Sequence, residues 1–202
     1  MRLIRPCKEE FLSLFGGGTK EIWICSPWIS SEGVNYLRKG IQMVKIDKIN
    51  NFEIWLRLNQ NDYEAGLTDY LNLSKLLAEI KKLAPSMNIS IWQSDNLHAK
   101  CYMTERGAII GSCNLTRAGF ETNVELAMRL EINEMLGQLS LRDNMRLDLH
   151  QVSTEAWEEF LNSLGKLPPT AFKNPPDTNG SWESFVQGIL SEGPPHLKTQ
   201  IR

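Results

Sequence analysis

Apolar positions in the first hundred residues alternate between two kinds of pattern. Glu21-Ile22-Trp23-Ile24-Cys25 is a short apolar run closed by Ser26-Pro27, and Phe52 to Leu58 and Asn88 to Trp92 repeat its character, so each predicts a buried strand. Between them the spacing changes to that of a helix. Ser30 or Ser31 can cap a helix carrying Val34, Leu37 and Ile41 on one face. From Asp69, Leu73, Leu76, Leu77, Ile80 and Leu83 keep helical spacing until Pro85 stops them. Pro6 opens a further short helix through Leu14-Phe15, which Gly16-Gly17-Gly18 ends. A polar loop is expected around Asn59 to Asp62.

After Leu97 the helical spacing disappears. Leu97 to Met103, Ala108 to Gly111 and Asn123 to Leu130 read as strands, the last with Val124, Leu126, Met128 and Leu130 pointing inward. Strand-helix alternation followed by hairpins predicts an α/β fold, a mixed β-sheet flanked by helices. We place this domain at residues 1–135 and a short helical C-terminal extension at 136–202. In the extension, Thr154 to Leu164 is helical, the proline-bearing stretch Leu167 to Asp177 is an extended connector, and Ser181 to Leu190 forms a last helix. No internal repeat is visible.

Composition narrows the partners. Lys and Arg number 22 against 24 Asp and Glu, a net charge of −2 that argues against coating nucleic acid over a broad basic surface but not against a locally basic cleft. No apolar run approaches the roughly 20 residues that cross a bilayer, and the opening residues lack the apolar stretch of a signal peptide. A cytoplasmic protein without membrane contact is expected. Cys7, Cys25, Cys101 and Cys113 have no zinc-finger spacing and read as free thiols.

Chemistry concentrates between His98 and Glu125. On a strand, His98 and Lys100 share a face. Glu105-Arg106-Gly107 fits a three-residue hairpin loop, which sets Lys100 opposite Ser112 and His98 opposite Asn114, with Ala99, Cys101, Met103 and Ile109 on the other face. These groups suit a phosphodiester. The imidazole serves as nucleophile or as acid and base, while Lys100, Asn114 and Ser112 donate to non-bridging oxygens as charge builds. Glu125 is placed to accept from the second ring nitrogen of His98 and so fix its tautomer.

His98-x-Lys100, Gly111-Ser112-x-Asn114 and Asn123-Val124-Glu125 together resemble the signature of the phospholipase D superfamily, most closely its bacterial nuclease and restriction-endonuclease branch. Ser26-Pro27-Trp28-Ile29 resembles the first-strand ending of that branch. The resemblance implies a phospholipase D-like sandwich over residues 1 to about 135. It implies a covalent phosphohistidine on His98 and a second histidine that protonates the leaving group, with no metal and no other cofactor. Lys100 and Asn114 would bind the phosphate, Ser112 would assist, Glu125 would orient His98, and Arg117 and Trp28 would add substrate contacts. One departure is that Glu105 stands where the family carries Asp five residues after the lysine, with the spacing to Gly-Ser one residue short; that acid is structural, at the turn.

A single motif leaves the second histidine to be found. His150 and His196 have no such motif around them, so the expected source is a symmetry mate, in a homodimer with its active site at the two-fold interface. Arg57 is a further candidate phosphate contact. Trp23, Trp55 and Trp92 read as core. The favoured function is a metal-independent nuclease acting on DNA or RNA. The alternatives are a non-catalytic nucleic-acid-binding subunit of a larger complex, such as a defence or restriction complex, and a phospholipase-type phosphodiesterase.

Overall fold

The three apolar runs of the N-terminal half form the centre of one eight-stranded mixed sheet in the computed structural model, which describes residues 2–6, 8–131 and 146–164. In chain order the strands are β1 (Arg2–Ile4), β2 (Glu21–Cys25), β3 (Asn51–Leu56), β4 (Asn88–Gln93), β5 (Cys101–Thr104), β6 (Gly107–Gly111), β7 (Ala127–Glu131) and β8 (His150–Val152). Across the sheet they run β1-β7-β6-β5-β2-β3-β4-β8. Strands β2, β3 and β4 are parallel, and every other pairing is antiparallel. The mixed α/β architecture expected from the strand-helix pattern is therefore the observed one.

The helices are α1 (Lys8–Leu12), α2 (Ser31–Gln42), α3 (Gln60–Glu64), α4 (Tyr70–Leu83) and α5 (Thr154–Leu164). Ser30 caps α2 by accepting from Gly33 N, and Asp69 caps α4 by accepting from Asn72 N. The polar stretch expected to be a loop becomes the single turn α3 because the Asn59 side chain accepts from Asn61 N at 2.8 Å. Strand alternation sends Ile22, Ile24, Phe52 and Ile54 into one core with Leu37, Leu73 and Ile80 of the helices and Trp157 and Leu164 of α5. On the opposite sheet face Trp23, Cys25, Trp55, Cys101, Met103 and Leu130 form a second core, in which the Trp23 and Trp55 rings meet edge to face at 4.6 Å. Strand β8 and helix α5, from beyond residue 135, thus add to the same sheet and the first of these cores.

That second face carries a charge. Glu53 is buried mid-sheet, where its carboxylate accepts from Trp55 Nε1 at 2.5 Å and from Arg146 Nε at 3.2 Å, with Arg146 Nη2 on its other oxygen. The Arg146 guanidinium also lies 4.6 Å from the centre of the Trp92 ring. This pair fixes the stretch that leads into β8.

Two expectations are corrected. The β5–β6 hairpin has a two-residue loop, Glu105-Arg106, and pairs Thr104 with Gly107 and Cys101 with Ile110. Lys100 therefore faces Gly111, not Ser112, and Ile109 joins Tyr102 in the helix-covered core. The turn closes early because Thr104 Oγ1 accepts from Arg106 N at 3.0 Å, while the Glu105 carboxylate accepts from Lys20 N at 2.9 and 3.1 Å. Gly107 then enters the strand at φ +147°, where a Cβ would lie 2.5 Å from the Leu130 carbonyl oxygen. Glu105 thus acts as a turn anchor.

The alternation before β7 is inverted as well. Val124 is 100% exposed, Leu126 58% and Met128 38%, whereas Ala127 and Arg129 are buried. Arg129 Nη1 reaches Ser13 Oγ at 3.0 Å and Glu10 O at 3.4 Å around α1, so that helix end, not the opposite core, covers this end of the strand. The connector from Leu167, the helix from Ser181, His196 and Cys7 lie outside the described residues. Among the described residues, no helix is long and apolar enough to cross a membrane.

Candidate active site

The carboxyl ends of parallel strands are where an open α/β sheet leaves a crevice, because the chain departs to opposite sides there. Here β2 ends at Cys25, β3 at Leu56 and β4 at Gln93, and the chain returns through His98 and Lys100 into antiparallel β5 beside β2. His98 and Lys100 precede β5 in extended chain, so their shared facing comes from direct contact. Lys100 Nζ donates to the His98 carbonyl oxygen at 2.7 Å and lies 3.2 and 3.3 Å from the two ring nitrogens. His98 is exposed, but Lys100 is only 6% exposed. Burial pushes the Lys100 ammonium below the ordinary lysine range, and the nearby Glu125 carboxylate opposes that shift.

The loop carrying Ser112 and Asn114 is held from three sides. Tyr102 donates its hydroxyl to Cys113 O at 2.7 Å, and Ser26 Oγ accepts from Leu115 N at 2.9 Å while donating to Trp28 O at 2.6 Å. Helix α2 presses from above at Gly33, where a Cβ would stand 1.9 Å from the Leu115 carbonyl oxygen. The Ser-Pro-Trp-Ile segment is therefore a brace under the Asn114 loop. Asn114 is half-buried, and its side-chain oxygen has no hydrogen-bond partner among the described residues.

Glu125 lies in the lead-in to β7. Its carboxylate takes hydrogen bonds from Ser112 Oγ and, at 3.1 Å, from Asn123 Nδ2. The ring nitrogens of His98 face Lys100 instead, so the expected Glu125–His98 contact is not the one formed in this chain. Arg117 is exposed just before the π-helical turn Ala118–Thr122 and pairs with Glu121 at 3.2 Å. Glu121 also receives the Tyr36 hydroxyl. Arg57 pairs with buried Asp62 at 3.4 Å, and Trp28 is half-buried with its Nε1 unpartnered among the described residues. Burial raises the Cys25 and Cys113 thiols to about 12, so neither supplies a thiolate.

One feature had no signal in the chain order. A cavity of roughly 700 Å³ opens beside His98, walled by Gln93, Asp95, Asn96, Asp148 and His150. His150, without a motif around it, reaches the site because β8 pairs with β4 and sets it opposite Gln93. Only the edge pairing could have revealed it.

Residues 12–141 match a family profile described as cardiolipin synthase, PLD-like domain. A search of curated protein sequences returns no match. Among solved structures, the chain is similar to a phospholipase D family member, Nuc from Salmonella typhimurium, at 15% identity and TM-score 0.47, over 70% of this chain and 87% of that one. It is similar to NucT from Helicobacter pylori at 13% identity and TM-score 0.42, over 70% and 86%. It is also similar to phosphatidylserine synthase from Haemophilus influenzae Rd KW20 at 14% identity and TM-score 0.50, over 78% and 41%. This last likeness is one of fold.

Proposed function

Because the chain belongs to the phospholipase D superfamily, we propose that it is a metal-independent phosphodiesterase that cleaves nucleic acid through His98. The observation that carries this reading is the contact between the His98 imidazole and the ammonium of buried Lys100. An ammonium so close to the attacking ring offers a donor to a phosphoryl oxygen. The His98 nitrogen attacks phosphorus and the bond to the leaving oxygen breaks; that oxygen takes a proton from a second imidazole, and water then cleaves the phosphohistidine. Asn114 and Ser112 donate to the non-bridging oxygens, and Glu125 reaches the reaction through Ser112. Arg117 and Trp28 extend the contact with the strand. The choice of nucleic acid over lipid rests on the likeness of the Gly111-Ser112-x-Asn114 and Asn123-Val124-Glu125 spacing to the nuclease branch.

The second imidazole comes from a second copy of the chain. Exposed Val124, Leu126 and Met128, with Leu3 opposite Met128 on β1, form an apolar strip running from Ser112 and Glu125. Such a strip supports a self-complementary contact beside the site.

The test is cleavage of labelled single- and double-stranded DNA and RNA in EDTA, with His98→Ala as control. Turnover should persist under chelation and vanish in the variant. Cleavage that requires added Mg²⁺ or Mn²⁺, or that survives His98→Ala, would overturn the mechanism. Binding with no cleavage by the wild-type chain would mark a non-catalytic subunit.

A further inference from the structure

We propose that the cavity beside His98 is a base subsite that selects guanine in the nucleotide flanking the scissile phosphate. The inference rests on the phosphodiesterase reading only for where the phosphate lies. Its volume, roughly 700 Å³, falls within the range of small-molecule sites, and its lining residues are mostly polar, with a smaller apolar part. Trp55, Leu97 and Leu149, which belong to the core beneath it, supply the apolar part of the lining.

The polar part favours one ligand chemistry. Asp95 and Asp148 bring two carboxylates, and the Gln93 side-chain oxygen is buried without a hydrogen-bond partner among the described residues. No Lys or Arg is among the described residues that line the cavity, so it repels a phosphate and leaves that group to Lys100 on the other side of His98. A wall of acceptors seeks a ligand edge of donors. Guanine presents N1–H and N2–H₂ side by side, the arrangement that a carboxylate accepts with both oxygens. Thymine and uracil offer one ring N–H between two carbonyls, which the carboxylates repel. Asn96 and His150 remain as donors for guanine O6 and N7.

The experiment measures equilibrium binding of dGMP, dAMP, dCMP and dTMP to the full chain in EDTA, and repeats it with Asp95→Asn and Asp148→Asn. One bidentate pair predicts dGMP tighter than dTMP by about tenfold, with at least one variant bringing that ratio near one. Equal affinity for the four nucleotides, tightest binding of another base, or a ratio unchanged in both variants would overturn the proposal. The wild-type comparison decides even if a variant fails to fold. Hydrolysis of bis(p-nitrophenyl) phosphate, which carries no base, is measured alongside on the wild-type chain. Its absence would count against the phosphodiesterase reading, while nucleotide binding would still judge the subsite.

Discussion

Lys100 is the residue on which stability and activity should part company. Its burial lowers the pKa below the 10.5 of an ordinary lysine, so folding disfavours its charge. Between the lowered folded value and 10.5, the unfolded chain holds a proton that the folded chain has released. Stability should therefore rise with pH through that window, as thermal melting across alkaline pH would show. Activity should fall through the same window, because the proposed mechanism needs the charged ammonium; a plot of kcat/KM against pH checks this. Lys100→Met should gain about 1 kcal/mol of stability while losing turnover. Asn114→Ala, which removes a donor but no charge, should cost about 10²–10³ in kcat with the melting point nearly unchanged. As candidates, His98, Lys100 and Asn114 were legible in the sequence because spacing in a short motif survives without knowledge of the fold. His150 and Gln93 were not, since what joins them to His98 is an edge pairing between β4 and β8. Glu125 was found by its motif but given the wrong neighbour, because Ser112 and Asn123 take up its oxygens.

At the scale of elements, the close approach of α2 to the Asn114 loop should be the most sensitive contact. Gly33→Ala would drive a Cβ into the Leu115 carbonyl oxygen, and backbone on both sides leaves little room to yield. Chemical denaturation should show a loss of about 3 kcal/mol, with activity falling as the loop shifts. Helices α2 and α4 and strands β2 to β4 could be read from periodicity because each packs on a broad apolar core. The hairpin between β5 and β6 could not be read to the residue. Two and three loop residues both fit Glu105-Arg106-Gly107, and the choice fell to Lys20, which is remote in sequence and holds the Glu105 carboxylate. The segment before β7 misled for a related reason. Its apolar alternation was correct, but which face was covered depended on α1.

For the whole molecule, one complete motif per chain predicts that activity depends on assembly. Wild type mixed with His98→Ala should form hybrid dimers of little activity, taking total turnover below the wild-type share, and sedimentation should show a dimer at micromolar concentration. Full activity in a monomer would remove the symmetry mate from the reaction. The sheet order has its own consequence in time. Strand β2 lies between β3, to which it is parallel, and β5, to which it is antiparallel, with Cys25 paired to both Trp55 and Cys101. Residues 21–93 can assemble through neighbouring crossovers and residues 101–131 through local turns, but the seam joining them closes only by a long chain loop. His98 and Lys100 sit at that seam. During refolding, secondary structure should therefore return before catalytic competence, with the lag set by docking of the two halves.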